Sequence, residues 1–304
     1  MVTRRGRRSG AVGAAVLCAG TVLAVLATPA TTGCSAPDAA VGAAAGEPAA
    51  AEARAAVREA AGVLARSGTS RAHTRVETDS GGTRVVIRGT GAFDYGTRTG
   101  LLRVVPPAAP AVPATGADRR RPIVALVTPG ALYLRNRGAG VPAGKWVRVD
   151  AATLPDGNLV TGGATDPITA AELLRGARSV SFRGEERLHG ETVRHYRGTV
   201  DLAAAARAAR PPWRGRLAAA VAGLSRRTVP FDAYVDGRGR LRKIRQHFAL
   251  PSAAGGPGGS GGAGGAVRQE VSVVSTTTLY GFGVPVEIAL PGPGDIHTGR
   301  IAAP

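Results

Sequence analysis

The sequence is poor in cysteine and in aromatic residues. Only two of its 304 residues are cysteine, and only 4% are aromatic. Cys18 lies in an apolar run near the N-terminus and Cys34 follows that run, so a domain built from the rest of the chain has no thiol. Disulfides, zinc–thiolate sites and cysteine nucleophiles are excluded for such a domain. It must be held together by its own hydrophobic core.

Acidic residues are also scarce. The chain has 21 Asp and Glu against 39 Lys and Arg, which gives a formal net charge of +18. Only Lys145 and Lys243 are lysines, so the excess is almost entirely arginine. Outside a membrane, a basic surface favours anionic lipid headgroups or an anionic envelope polymer. There is no lysine-rich run and no aromatic-basic RNA-binding signature, so we expect no nucleic-acid partner.

The N-terminus has the pattern of a secretory signal. Arginines from Arg4 to Arg8 precede the uncharged segment 11–27, and small residues lead to Gly33. This order predicts a signal peptide over residues 1–33 and an extracytoplasmic location. An uncleaved anchor is the alternative, although the 17 residues 11–27 would give only about 26 Å of helix. The choice between Sec and twin-arginine export stays open.

Sequence signatures of catalysis and metal binding are missing. The histidines stand on separate segments without metal-ligand spacing: His73, His189, His195, His247 and His297. A G-x-S-x-G match at 258–262 lies in a glycine tract, with no strand before it and no helix after it. We therefore predict a non-enzymatic protein without a cofactor or metal.

Helical periodicity occurs in four segments. Residues 49–67 place an apolar stripe on one face, and Gly68 closes the helix. Asp166 and Asp201 each precede a further helical segment as N-caps. The fourth helix has the stripe Trp213, Leu217, Val221 and Leu224.

Most of the remaining chain alternates with the period of a β-strand, in short segments joined by turns. We predict one α+β domain over 49–291, with about ten strands in a dominant antiparallel sheet and three or four helices. Residues 34–48 form a flexible tether and 292–304 a C-terminal tail in this interpretation. Residues 106–122 and 251–265 are flexible inserts within the domain.

The order of these features resembles the LppX/LprG-type lipoproteins, whose fold is like that of the carrier LolA. The resemblance covers most of residues 50–291 and is carried by Cys34, which stands where a lipobox has its cysteine, and by an ordered series of motifs. These are GTGAFDYGTRTG (89–100), GKWVRVD (144–150), YRGTVDL (196–202), FDAYVDGRGRLRKI (231–244) and YGFGVPVEIALP (280–291).

The resemblance implies that Cys34 is acylated, by a diacylglyceryl group and palmitate, and anchors the chain to the outer face of the cell membrane. It also implies a strongly curved antiparallel sheet, an incomplete barrel wrapped around two to four helices. In lipid-binding members, acyl chains occupy the apolar space between sheet and helices. Strand parity gives the residues expected to line such a space: Val85, Ile87, Phe93, Leu132, Leu134, Phe182, Phe231, Val235 and Phe248.

Periodicity does not distinguish an open cavity from a packed interior. One hypothesis is therefore a membrane-anchored protein that binds or carries a lipid. The alternative is a non-catalytic envelope module with a filled core, whose basic outer face binds a wall polymer or a protein partner.

Overall fold

The computed structural model describes residues 38–105, 121–138, 140–160, 165–252 and 270–298. The predicted signal peptide and Cys34 lie outside the described residues. So do nearly all of the two predicted inserts.

Helix α1 comprises Asp38–Ala65 and begins earlier than predicted. The prediction of a flexible tether over 34–48 is therefore wrong from residue 38 onward. The segment is rich in alanine, the strongest helix former, and Pro48 lies inside the helix without ending it. At the other end Gly68 has φ of 71°, a left-handed conformation suited to glycine, as expected after a helix.

The described strands form one eleven-stranded sheet in the order β6-β5-β4-β3-β2-β1-β11-β10-β9-β8-β7. Every neighbouring pair is antiparallel, and β6 and β7 are left as free edges, so the sheet does not close. The strands are β1 Thr69–Ser80, β2 Thr83–Asp94, β3 Thr99–Val105, β4 Ile123–Val127, β5 Leu132–Arg135, β6 Trp146–Val149, β7 Ala177–Leu188, β8 Glu191–Asp201, β9 Thr228–Asp236, β10 Leu241–Pro251 and β11 Glu270–Tyr280.

Three further helices follow the first six strands in sequence: one lies between β6 and β7, and two lie between β8 and β9. They are α2 Pro167–Leu173, α3 Leu202–Ala208 and α4 Trp213–Gly223. The two predicted N-caps are present: Asp166 accepts a hydrogen bond from Thr169 N at 2.9 Å, and Asp201 accepts one from Ala204 N at 2.8 Å. Each cap satisfies a helix donor that would otherwise lack a partner.

The core lies between one face of the sheet and the helices, and we call this face of the sheet the inner face. Strands twist, so a sheet this wide and unclosed curves around whatever it packs against. The α1 stripe contributes Ala53, Val57, Ala60, Ala61 and Leu64, all buried. The prediction of an α+β fold with a curved, incomplete barrel around the helices is confirmed.

The C-terminal segment beyond β11 lies along the sheet and ends at its free edge. Gly283 N donates to Thr69 O at 3.0 Å, and His297 N donates to Trp146 O at 2.7 Å. Ile296 forms a parallel bridge with Trp146 of β6. The predicted tail is therefore docked over residues 292–298, because an edge strand offers unpaired backbone groups that a passing segment can bond.

No helix among the described residues combines the length and the apolar character needed to cross a bilayer.

Candidate functional site

Strand parity placed most of the nine predicted lining residues on the inner face. Six lie in the hydrophobic core: Phe93, Leu132, Leu134, Phe231, Val235 and Phe248. Ile87 is partly buried and packs against that core, and Val85 is half-buried toward the end of the β1–β2 hairpin. Since their neighbours fill the space around them, these residues are core; whether any of them meets a lipid stays a prediction.

Phe182 is the exception among the nine. Its side chain is 51% exposed, although it pairs with Tyr196, which is only 3% exposed. The two rings lie 5.7 Å apart. Phe182 belongs to the edge strand β7, beyond which no described strand continues the sheet. The prediction that it lines an enclosed space is wrong, because parity gives the face of a strand but not the cover over that face.

The centre of the inner face is polar. Ser275 and Thr277 of β11 point to this side and are buried, and the segment before α2 covers them. Thr165 Oγ1 donates to Ser275 Oγ at 2.8 Å, while Thr277 Oγ1 donates to Thr165 O at 3.2 Å. We call Thr165, Asp166, Arg216, Ser275 and Thr277 the inner polar cluster.

A buried ion pair completes this cluster. Arg216 of α4 and Asp166 are 2% and 1% exposed, and their Nη1 and Oδ2 atoms lie 3.7 Å apart. The Arg216 Nη2 group also donates to Thr128 O at 2.6 Å. Charges are rarely buried unless they are paired, so the pair ties α2 and α4 to the β4–β5 turn.

Sequence reasoning missed this cluster although one signal was available. Strand β11 reads Val273, Ser275, Thr277 and Leu279 on one face, and the other face is also polar. A strand that is polar on both faces and still buried needs polar partners from another segment. The pattern therefore argued against a wholly dry cavity between the sheet and the helices.

A cavity lies among the helices at one end of the sheet. It has a volume of about 160 Å³ between α1, α2, the start of α4 and the β2–β3 turn, and we call it the α1–α2 cavity. Its apolar wall consists of Ala61, Leu64, Ala65, Ile168, Ala171 and Trp213. Ligand pockets commonly measure about 300–1,000 Å³, and an engineered cavity of about 150 Å³ holds benzene. The cavity therefore has room for the end of one acyl chain.

Most polar residues in the wall of the α1–α2 cavity are already paired. Glu172 is 1% exposed and accepts from Arg210 Nη2 at 2.7 Å and from Arg175 Nε at 2.8 Å. Tyr95 is buried, which raises the pKa of its phenol, and its hydroxyl lies 2.6 Å from Ser70 Oγ. Arg98, which is exposed and forms no salt bridge among the described residues, is the charge that a ligand at this cavity would meet.

Trp213, which lines the cavity, has a buried donor without a partner in the described part of the chain. Its indole is 2% exposed, and its Nε1 forms no hydrogen bond among the described residues. Buried polar atoms nearly always have a partner, and leaving one without costs about 1–3 kcal/mol. Because this nitrogen is itself inaccessible, it is a cost to the fold rather than a contact for a ligand.

A second cluster lies on the opposite, outer face of the sheet. His195 Nδ1 lies 2.9 Å from Glu186 Oε1, and His195 Nε2 lies 2.8 Å from Asp232 Oδ1. Tyr234 stacks on the His195 ring at 4.4 Å. Burial alone would raise the pKa of Asp232, but the hydrogen bonds from His195 and Arg197 outweigh it and lower that pKa.

The sequence did not indicate this arrangement, because Asp232 comes from β9 and reaches His195 only through strand pairing. Both imidazole nitrogens are engaged by carboxylates, so neither is free to act on a substrate. Among the described residues no group of His, Cys, Asp and Glu is arranged to hold a metal ion.

No known family model matches the sequence, and no curated protein matches it. Solved structures that are similar include lipoprotein LppX from Mycobacterium tuberculosis, with a TM-score of 0.42 and 12% identity over 78% of this chain and 98% of that one. LprF from Mycobacterium bovis has a TM-score of 0.38 and 13% identity, over 79% and 97% of the two chains. A LolA superfamily protein from Nitrosomonas europaea has a TM-score of 0.34 and 11% identity, over 77% and 94%. Similarity at this level says nothing about a ligand or a function of this chain.

Proposed function

We propose that the chain is an exported, membrane-anchored protein that binds a lipid and is not an enzyme. The single observation that carries the proposal is the α1–α2 cavity, which has a largely apolar wall between three helices. Cys34 carries the lipid anchor in this proposal, on the extracytoplasmic face of the cell membrane. The N-terminal sequence pattern supports that part.

The size of the cavity limits what it holds at any moment. A space that fits benzene takes about six carbons, and burying that many methylenes gives about 4–5 kcal/mol before ordering costs. One acyl end therefore enters the cavity as it stands. A whole lipid requires an element of the wall to move.

Helix α1 is the wall element that moves most easily. Where its side chains are described, its buried stripe consists largely of alanine, with Val57 and Leu64 as the larger members. Small side chains bury little apolar area, so lifting this helix costs less than lifting α4 with its buried Trp213 and Leu217. Arg58 holds α1 in place by donating to Ala177 O from Nε at 3.1 Å and from Nη2 at 2.8 Å.

The test is lipid content after purification of the full chain from membranes in mild detergent. We expect organic extraction and mass spectrometry to find close to one lipid per chain. Ala65→Phe narrows the α1–α2 cavity and should lower that occupancy several-fold, whereas Ala55→Phe on the exposed side of the same helix should not. The intact masses of the wild-type chain and of Cys34→Ser test separately whether Cys34 is acylated.

A filled-core envelope module is the second candidate function, and the small volume of the α1–α2 cavity favours it. In that case the extract contains no stoichiometric lipid, and Ala65→Phe behaves like Ala55→Phe. Such a result would overturn the lipid-binding proposal and leave the outer face of the sheet as the candidate binding surface.

A further inference from the structure

The antiparallel register gathers basic side chains into two neighbouring rows on the outer face of the sheet. Row one contains Lys243, His73, Arg103 and Arg135, on β10, β1, β3 and β5. Row two contains Arg197, Arg245, Arg75 and Arg88, on β8, β10, β1 and β2. These eight residues are called the basic rows below. They are far apart in sequence and meet only because the two meanders pair through β1 and β11.

The rows have a regular geometry. In row one a basic residue stands on every second strand, so consecutive ones are about 10 Å apart and the row extends about 29 Å from β10 to β5. The two rows are separated by two residues along each strand, which is about 7 Å. A ligand with negative charges spaced along its length could contact several of these side chains at once between β8 and β3, beyond which Val124 of row one is buried.

Three exposed members of the basic rows have no counter-charge. Arg88, Arg103 and Arg245 are exposed and form no salt bridge among the described residues. Other members are engaged: Arg75 with Glu77 at 3.0 Å, and Arg197 with Asp232 at 2.8 Å.

The acidic groups near the rows are few and mostly paired. Glu77 bonds Arg75 and Arg84, while Glu186 and Asp232 hold His195. Glu287 of the C-terminal segment lines the same groove as Arg103 without an ion pair to it. The face therefore keeps an excess of uncompensated arginine charge, on a chain whose formal net charge is +18.

We propose that the basic rows bind a linear polymer bearing phosphate groups. A flexible chain can follow the convex side of a curved sheet and release counterions at each phosphate it meets. A flat bilayer would contact only the crest of the same surface, so the polymer is the better complement. This proposal does not depend on lipid binding in the α1–α2 cavity, which lies on the other face.

The test uses the full chain in mild detergent with long-chain inorganic polyphosphate as the probe, titrated at several salt concentrations. The triple variant Arg88→Gln, Arg103→Gln and Arg245→Gln should weaken binding at least tenfold. It should also lower the slope of log affinity against log salt by about 2 units, since each lost phosphate contact removes roughly 0.7–0.9.

The matched control removes three exposed arginines that lie elsewhere, Arg54, Arg207 and Arg238, and should change the affinity less than threefold. If both triple variants lost the same affinity for polyphosphate, net charge alone would explain the loss, and the proposal would be overturned. So would binding to phosphatidylglycerol vesicles without binding to polyphosphate, which would indicate a membrane surface. Circular dichroism and the unfolding midpoint of both variants exclude misfolding as the cause of a loss.

Discussion

The two faces of the same sheet use charge in opposite ways. On the inner face, Arg216 and Asp166 are almost fully buried and paired with each other. On the outer face, Arg88 and Arg245 are exposed and have no partner among the described residues. Buried charges are expensive unless paired, whereas exposed charges are hydrated and interact weakly with each other. Charge on the inner face therefore fixes the fold, and charge on the outer face is free for recognition.

The largest expected effect comes from removing one half of the buried ion pair. Asp166→Ala deletes the N-cap of α2 and leaves Arg216 buried without its counter-charge. We expect a loss of about 4–6 kcal/mol in the free energy of unfolding, measured with urea, from the orphaned charge and the lost cap.

Asp201→Ala is the matched control for that variant. Asp201 also caps a helix, α3, but its cation is the exposed Arg178 at 3.2 Å. Its loss should cost about 1 kcal/mol. Similar losses in both variants would show that the buried pair contributes nothing beyond a cap, and the contrast between the faces would fail.

A second comparison concerns two phenylalanines that sequence parity treated alike. Phe231 is 1% exposed and lies in the core, so Phe231→Ala should cost about 3–5 kcal/mol. Phe182→Ala should cost less than about 1 kcal/mol, because half of that ring is already in water. Urea midpoints of the two variants check this, and a large loss for Phe182→Ala would mean that the edge of β7 is covered.

A smaller effect is expected where α1 is held against the sheet. Arg58→Ala removes two hydrogen bonds to Ala177 O and should cost about 1–2 kcal/mol. Arg54→Ala, on an exposed position of the same helix, should be nearly neutral. Amide hydrogen exchange should show α1 opening more often in Arg58→Ala, without faster exchange in β9 and β10. Uniformly faster exchange would contradict a local role for Arg58.

The smallest expected effect is the change in stability at acidic pH that comes from Glu77 on the outer face of the sheet. Hydrogen bonding from Arg75, helped by Arg84, lowers the pKa of Glu77 to about 2 from an ordinary value of 4.5. A carboxyl whose pKa is lower in the folded chain stabilises it above the unfolded pKa, and this contribution disappears as pH falls from 4.5 toward 2.

Glu77→Gln should therefore reduce stability at pH 7 by about 0.5–1 kcal/mol and make the variant less sensitive to pH between 4.5 and 2. Asp79→Asn, on the same strand and face, is the control and should leave that pH dependence intact. Urea midpoints at pH 7, 4 and 2.5 measure both. If Glu77→Gln lost as much stability as the wild-type chain between pH 4.5 and 2, other carboxyls would be the cause of that loss.

Local patterns predicted most of the elements. The caps at Asp166 and Asp201, the end of α1 before Gly68 and the stripe on α4 depend on residues within a few positions of each other. The start of α1 is the main local error, since the alanine-rich segment before residue 49 also belongs to the helix and Pro48 lies inside it. A single unfavourable residue need not end a helix, because helix propensity is summed over many positions.

The candidate sites were less predictable because their members are distant in sequence. His195 meets Asp232 through the pairing of β8 with β9, and Ser275 meets Thr165 across the interior of the half-barrel. Strand parity placed Phe182 on the correct face of β7, but the cover over an edge strand depends on what packs beyond it.

The sequence by itself determined the helices, the alternating strands, the basic charge and the lack of cysteine outside its first 34 residues. Those properties follow from local backbone preferences and composition. Only the tertiary structure decided that the inner face is filled around a buried ion pair and that eight basic residues from six strands form two rows. Both depend on strand order and register, which are set by the packing of the whole sheet rather than by any single segment.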